Sequence, residues 1–226
     1  MFFDPNDYLE LDPVEAESER EASQLRRDAE QRAKLCEAMT RMAAEVGFEA
    51  VSAHHVFGAA QVGNSTFYKL YETKEACLLE AFERCAETTF GRVERATEGM
   101  IEPAEKARAG LRTLIETFSA DPDVARLVLV EIRVGGPTCR EAQQRWLSRF
   151  ARLLEEGEPG GATEGAVAKS RMAVGALAVL LALRVASGAS GKELHAMLSD
   201  LIYVALTPYV GPAAAMERAR LAASAR

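Results

Sequence analysis

Histidine is scarce in this sequence. His54, His55 and His195 are the only three, and no HExxH, GxSxG or paired-carboxylate pattern accompanies them. A zinc centre needs converging His, Cys or carboxylate ligands, and covalent catalysis needs a nucleophile within reach of a base. Neither is written here, so the expectation is no enzyme, no metal site and no cofactor. Cysteine is sparse too: Cys36, Cys77, Cys85 and Cys139 show no CxxC spacing. Cys77 and Cys85 fall on one expected helix, roughly 12 Å apart at about 1.5 Å rise per residue, too far to bridge. Buried reduced thiols are the plain reading, and a redox sensor is the alternative. The longest apolar run, Met172 to Leu183, is followed by Arg184 and falls short of the roughly 20 residues a bilayer span takes. The acidic N-terminus lacks the apolar segment of a secretion signal. A cytoplasmic protein with no membrane partner is implied. GEPGGATEG, at 157–165, reads as a loop and not as a phosphate cradle, because no Lys-Ser/Thr follows it and no strand precedes it.

A basic excess is missing as well. The net charge of −7 is carried by the first 23 residues, where eight acids stand against Arg20 alone; the rest balances. Between Gln24 and Lys74 seven basic residues face six acidic ones. That is not the footprint of a non-specific nucleic-acid binder, and charge alone gives no reason to expect DNA. Proline and glycine are thin (8 and 16), while 48% of the chain is hydrophobic and rich in Ala and Leu. That balance predicts an all-α protein of one large or two small domains.

One stretch organises the chain: SAHHVFGAAQVGNSTFYKLYETK, from Ser52 to Lys74. Ser52 is placed to cap a short helix, with Val51 and Val56 spaced as a hydrophobic staple across its start. Ala59 and Ala60 allow a second helix to cross closely, and Gln61-Val62-Gly63 makes the turn. The second helix opens on Asn64, Ser65 and Thr66. Its exposed face carries these three with Tyr68 and Lys69, while Phe67 and Leu70 or Tyr71 point inward. Two short helices with small polar groups at the start of the second form a helix-turn-helix suited to a major groove.

These residues resemble the tetracycline-repressor-like (TetR) transcriptional regulators, over roughly Arg32 to Phe82. The resemblance rests on Thr66-Phe67-Tyr68, then Tyr71, then Lys74-Glu75 at the family's spacing. Gln61 stands where the family usually has Gly, Gly63 where a Ser usually caps the second helix, and Leu70 where a His is common. The resemblance implies an all-α fold of about nine helices. An N-terminal three-helix DNA-binding domain (24–82) would be followed by a helical ligand-binding and dimerisation domain (83–212). An acidic arm (1–23) and a tail (213–226) would flank them. It implies double-stranded operator DNA as partner, contacted by Ser52, Thr66, Tyr68 and Lys74 at phosphates and by Asn64, Ser65 and Lys69 at bases or their flanks, with His54 a further candidate. It also implies a homodimer built from the last two helices.

Along the remaining chain, Leu35, Ala38, Met39, Met42, Ala43 and Val46 follow one face of a helix that Gly47 ends. Asp12-Pro13-Val14-Glu15 reads as the start of a charged helix running into it. Thr73 caps a helix to about Gly99, Pro103 opens one to Ser119, and Asp121-Pro122 starts a nearly all-apolar one through Val134. Further helices are expected over Thr138–Glu156, Ala162–Ala186 and Lys192–Tyr209, with a frayed tail after Pro212. Apolar surplus on the last two of these helices suggests the dimer face: Leu177, Leu181, Leu198, Leu201 and Ile202. Glu131 and Arg184 sit in apolar runs, as a buried ion pair or as polar anchors of a pocket that Phe118, Trp146, Phe150 and Met172 would line. The expected function is a homodimeric repressor released from a palindromic operator by a small, mostly apolar effector. The alternative is a helical ligand-binding or protein-interaction module with weak or lost operator binding. The acidic arm is expected either to solubilise or to weaken DNA binding by repelling phosphate or covering Arg26, Arg27 and Arg32.

Overall fold

A single long helix, α1 (Pro13–Val46), carries the chain from the acidic arm into the core. The computed structural model describes residues 13–155 and 163–224, so the first twelve residues of the arm and most of the expected 157–165 loop lie outside it. Along α1, Leu35, Ala38, Met39 and Ala43 are buried as the periodicity predicts. Val46, assigned to the same face, is instead exposed at the helix end, where Gly47 turns the chain with φ 81°. A short 3₁₀ turn (Phe48–Ala50) leads to α2 (Ala53–Ala59) and α3 (Asn64–Leu70). Val51 and Val56 are both buried, and Ser52 caps α2, so the staple forms as read.

From Thr73, whose hydroxyl accepts the Ala76 N–H, α4 (Lys74–Thr97) runs out of this headpiece into the second half of the molecule. Its inner face, with Cys77, Leu78, Ala81, Phe82, Ala86, Phe90 and Val93, is buried along nearly its whole length. One helix therefore carries a continuous core from the headpiece into the second half. Around it stand α5 (Pro103–Ala120), α6 (Pro122–Leu129), α7 (Pro137–Glu155), α8 (Glu164–Ala186), α9 (Gly191–Ala196) and α10 (Leu198–Ser224). Among the described residues there is no strand, in keeping with the all-α expectation.

Three boundaries differ from the sequence reading, each for a local reason. The apolar run expected as one helix through Val134 breaks at Val130 (φ −116°, ψ −64°) and goes on as a 3₁₀ turn, Glu131–Val134. That turn can sit close on α4 because Gly135 has no side chain: a Cβ there would lie 2.5 Å from Leu78. The expected last helix is split at Met197 into α9 and α10. The tail does not fray. At Gly211 (φ 79°) α10 reverses, Pro212 starts a second limb, and Ser199 Oγ donates to the Ala219 carbonyl at 3.2 Å. Ala215 and Ala219 are buried by that return. Proline suits a first helical position, which is why a residue read as a stop becomes a start.

By length and composition α8 is apolar enough to cross a bilayer, although its longest unbroken apolar run is not. In the fold it packs on α7 and α10 and buries Val174, Leu177 and Leu181.

Candidate nucleic-acid interface and internal cavity

The α2–α3 unit is joined by a tight reversal. Val62 N donates to the Phe57 carbonyl and Gln61 N to that of Gly58, the paired bonds of a Schellman ending, with Gln61 left-handed at φ 54°. The position where TetR-like sequences usually have Gly is therefore one whose backbone asks for it. Phe67 anchors α3: it is fully buried, 6.0 Å from the Phe57 ring and 5.7 Å from that of Tyr71. With Phe67 inward, Asn64, Ser65 and Tyr68 face solvent and Thr66 is half-buried. Tyr68 is 55% exposed, with its ring edge-to-face with Phe67 at 5.3 Å between centroids. Gly63 gives no side-chain cap, so the first amides of α3 face outward with no side-chain acceptor.

The other expected DNA contacts are committed elsewhere. Lys69 pairs with Asp28 of α1, its ammonium 2.9 and 3.1 Å from the two carboxylate oxygens. The same contact holds the Asp28 carboxyl below its ordinary pKa. Lys74 turns inward, donating to the carbonyls of Val51 (2.7 Å), Phe48 (3.2 Å) and Glu49 (3.4 Å), and lies 4.5 Å over the Phe48 ring. Three N–H bonds are all an ammonium has. Lys74 shapes the entry to α2 rather than reaching outward. The Ser52 hydroxyl accepts the His55 N–H at 3.2 Å while His55 Nδ1 accepts the Ser52 N–H, a reciprocal cap; His54 is exposed beside Phe57.

A second polar cluster fixes α3 against α1 and α4. Glu80 accepts from Arg32 (2.6 Å), Tyr71 Oη (2.9 Å) and Arg84 (2.9 Å). Burial works against its charge, and these three donors hold its carboxyl below the usual range. Burial pushes the Tyr71 phenol far up, and the Cys36 thiol beside it up to about 11. Cys77 is also buried and its thiol raised. A thiol held protonated in the core is a poor nucleophile, which favours the inert reading of these cysteines over redox sensing. Arg32 is engaged by Glu80, and Arg27 by Ser23 and Gln24.

The second half contains an apolar cavity of about 80 Å³, opening into a cleft that encloses about 700 Å³ of empty space up to solvent. Its wall comes from α4 (Val93, Thr97), α5 (Lys106, Leu111, Leu114), the end of α6 (Leu129), α7 (Trp146, Phe150, Leu153), α8 (Val174, Leu177, Leu181) and α10 (Ala205). Gly110 of α5 lets α4 approach, since a Cβ there would sit 3.3 Å from Val93 Cγ1. Trp146 is pinned by its indole N–H to the Ala86 carbonyl at 3.0 Å, edge-on to Phe82 and Phe150. Thr97 turns its hydroxyl back to the Val93 carbonyl, and the Lys106 ammonium donates to the Leu153 carbonyl at 3.5 Å.

Of the six residues expected to line a pocket, Trp146 and Phe150 do. Phe118 is fully buried outside the cavity wall, Met172 is 68% exposed, and Arg184 is exposed at the end of α8. Glu131 is buried but pairs with Arg126, not Arg184; its role is in the join between the two halves. The residues expected at a dimer face have these positions in the protomer. Leu177 and Leu181 line the cavity, Leu201 and Ile202 are fully buried within the protomer, and Leu198 is half-buried. The face of α8 that stays exposed carries Met172, Gly175, Ala176, Val179 and Leu183. Periodicity could have separated these two faces, because 172, 176, 179 and 183 recur at helical spacing opposite to 174, 177, 181 and 185.

No protein-family model matches the sequence, and no curated protein is similar to it. Solved structures do match. The fatty acid degradation regulator FadR from Bacillus halodurans superposes with a TM-score of 0.66 at 20% identity, covering 80% of this chain and 95% of that one. Bacillus subtilis FadR, solved with stearoyl-CoA, gives 0.64 at 17%, covering 79% and 98%. Thermus thermophilus FadR, a TetR-family transcriptional repressor solved with lauroyl-CoA, gives 0.56 at 22%, covering 79% and 95%. The fold of this chain is that of TetR-family regulators.

Proposed function

We propose that the protein is a DNA-binding transcriptional repressor that acts as a homodimer and is released from a palindromic operator by a ligand with a long apolar chain. The observation that carries the reading is α3: a buried Phe67 turns an exposed polar edge, Asn64, Ser65 and Tyr68, outward at the surface end of a helix-turn-helix. The cavity supports the ligand class. Its wall is apolar almost throughout, which suits an alkyl chain, and two neighbours of the same fold were solved with stearoyl-CoA and lauroyl-CoA. A fatty acyl thioester is therefore the ligand class we assign. The exposed stripe of α8 supplies the surface for self-association, since Gly175 and Ala176 let a second helix approach closely between Met172, Val179 and Leu183. An operator of two half-sites, each in a major groove, then has centres about 34–36 Å apart or a multiple of it.

One observation favours the alternative, a ligand-binding module without tight operator affinity: Lys69 is tied to Asp28 and Lys74 is turned inward, leaving α3 with little free positive charge. A single experiment separates the two. Duplexes selected by the protein from a random pool are titrated by anisotropy at fixed salt, with the wild type and the double variant Thr66→Ala/Tyr68→Ala. Loss of about 1–2 kcal/mol per contact is expected, roughly tens-fold to hundreds-fold in affinity for the double variant. Equal affinity of the two proteins, or no selected duplex, overturns the assignment.

A further inference from the structure

We propose that Glu131 is the positioning residue through which occupancy of the cavity alters the helix-turn-helix; the inference rests on the repressor reading above and adds how its two halves communicate. Glu131 follows α6 and is only 5% exposed, between the apolar Leu129 and Ile132. A carboxylate so placed is costly unless its oxygens are engaged. One oxygen accepts the backbone N–H of Phe48 at 2.9 Å, across 83 residues of sequence. Phe48 opens the 3₁₀ turn between α1 and α2. Its carbonyl and ring are in turn held by Lys74, which also fixes the Val51 carbonyl one residue before the cap of α2. The second half thus holds the first by the backbone from which the helix-turn-helix starts.

The other end of this contact is the cavity. Leu129, two residues before Glu131, is part of its wall. Between them Val130 leaves helical geometry and the chain tightens into a 3₁₀ turn, the kind of irregular segment that rewinds more readily than an α-helix. A ligand that pushes Leu129 outward pulls on the Glu131 bond. That bond is either made or broken, because a buried carboxylate and a buried amide each lose much when half-engaged. Arg126 gives the released carboxylate a place to go. Its Nε lies 3.0 Å from the second oxygen, yet its buried N–H makes no aligned hydrogen bond in the engaged state. Swinging from Phe48 towards Arg126 would convert a close ionic contact into a directed one. The ligand then has the differential affinity for two states that any release mechanism needs.

The test uses the full chain, a duplex selected by the wild type, and lauroyl-CoA as probe. Ligand binding is followed by the fluorescence of Trp146, the single tryptophan, and folding by circular dichroism. For wild type, lauroyl-CoA should lower operator affinity by a factor in the range of about 5–150 usual for such coupling. In Glu131→Ala the probe should still bind while the factor falls below about 2; Glu131→Gln, which keeps an acceptor for the Phe48 N–H, should recover part of it. Arg126→Met, at a half-buried residue, should also reduce the factor by removing the alternative partner, with circular dichroism checking that the variant folds. A purely structural role would lower the melting temperature and leave the factor alone. Unchanged coupling in Glu131→Ala, or in Arg126→Met should Glu131→Ala fail to fold, overturns the latch alone. A wild type whose operator affinity ignores lauroyl-CoA overturns the repressor reading and this inference together.

Discussion

The two halves of the molecule are held in shape by different means. In the headpiece, directed bonds do most of the fixing: the reciprocal Ser52–His55 cap, the three donors on Glu80, the Lys74 ammonium on three carbonyls, and Lys69 on Asp28. Around the cavity of the second half, apolar contact does it, with Trp146 and its neighbouring rings as the framework and few polar groups in the wall. The difference follows from length and task. Helices of seven residues, as α2 and α3 both are, are too short to be stable alone and must be oriented by their surroundings. A wall that is to admit a ligand of the kind proposed has to yield, and undirected contacts yield without leaving polar atoms stranded.

The contrast is sharpest in paired core truncations. Phe67→Ala in the headpiece removes a ring at 0% exposure that also orients α3, and a loss of about 3–5 kcal/mol is expected. Leu177→Ala borders space that is already empty, so it forfeits fewer contacts and should cost about 2 kcal/mol, the low end for such a change. Urea unfolding of both variants reads the difference. Equal losses would break the comparison, because the cavity wall would then be as tightly packed as the headpiece.

Next in size is the polar clamp. Lys74→Met keeps the length of the stem over Phe48 but removes the donors to three carbonyls of a half-buried turn. A cost of about 1–3 kcal/mol is expected, reduced where water replaces the ammonium. Amide exchange should rise first at Phe48 to Val51 and leave the α7 amides protected. Uniform exchange across both halves would show that the clamp serves global stability and not local pose.

The same contrast explains what the sequence could and could not disclose. Part of the headpiece is built within short stretches of sequence: Val51 and Val56 about one helix start, the Ser52 cap, and Phe67 in a seven-residue helix. Such contacts leave a spacing that can be read, and the fold class and the exposed edge of α3 were legible from it. The destinations of Lys69 and Lys74 were not, since each finds partners more than twenty residues away. Nor was Glu131, whose acceptor role depends on a backbone amide 83 residues earlier. In α8 periodicity separates two apolar faces but does not say which of them meets the cavity: Leu177 and Leu181 do, while Met172 and Val179 face out. An apolar residue carries no mark of which apolar surface it meets. The tail hides its helix for a related reason, because Gly211-Pro212 ends one helix and starts another with the same two residues.

The smallest effect tests whether the headpiece keeps its pose against local strain. Gln61 adopts φ 54°, a conformation that costs a residue with a Cβ about 1–2 kcal/mol relative to right-handed geometry. The turn nevertheless closes both of its Schellman bonds, so the surrounding contacts impose the conformation on glutamine. Gln61→Gly relieves the strain but adds freedom to the unfolded chain, worth about 0.5–1 kcal/mol in the opposite sense. The two partly offset, and a net gain between zero and about 1.5 kcal/mol is expected. Gln61 is exposed, so no packing is lost with its side chain. The readout is a rise in the urea midpoint with unchanged slope, accompanied by equal or tighter operator binding because the angle between α2 and α3 is already set. A destabilised Gln61→Gly would mean that the glutamine side chain itself supports the turn. The headpiece would then rely on one more directed bond, and its difference from the second half would be larger still.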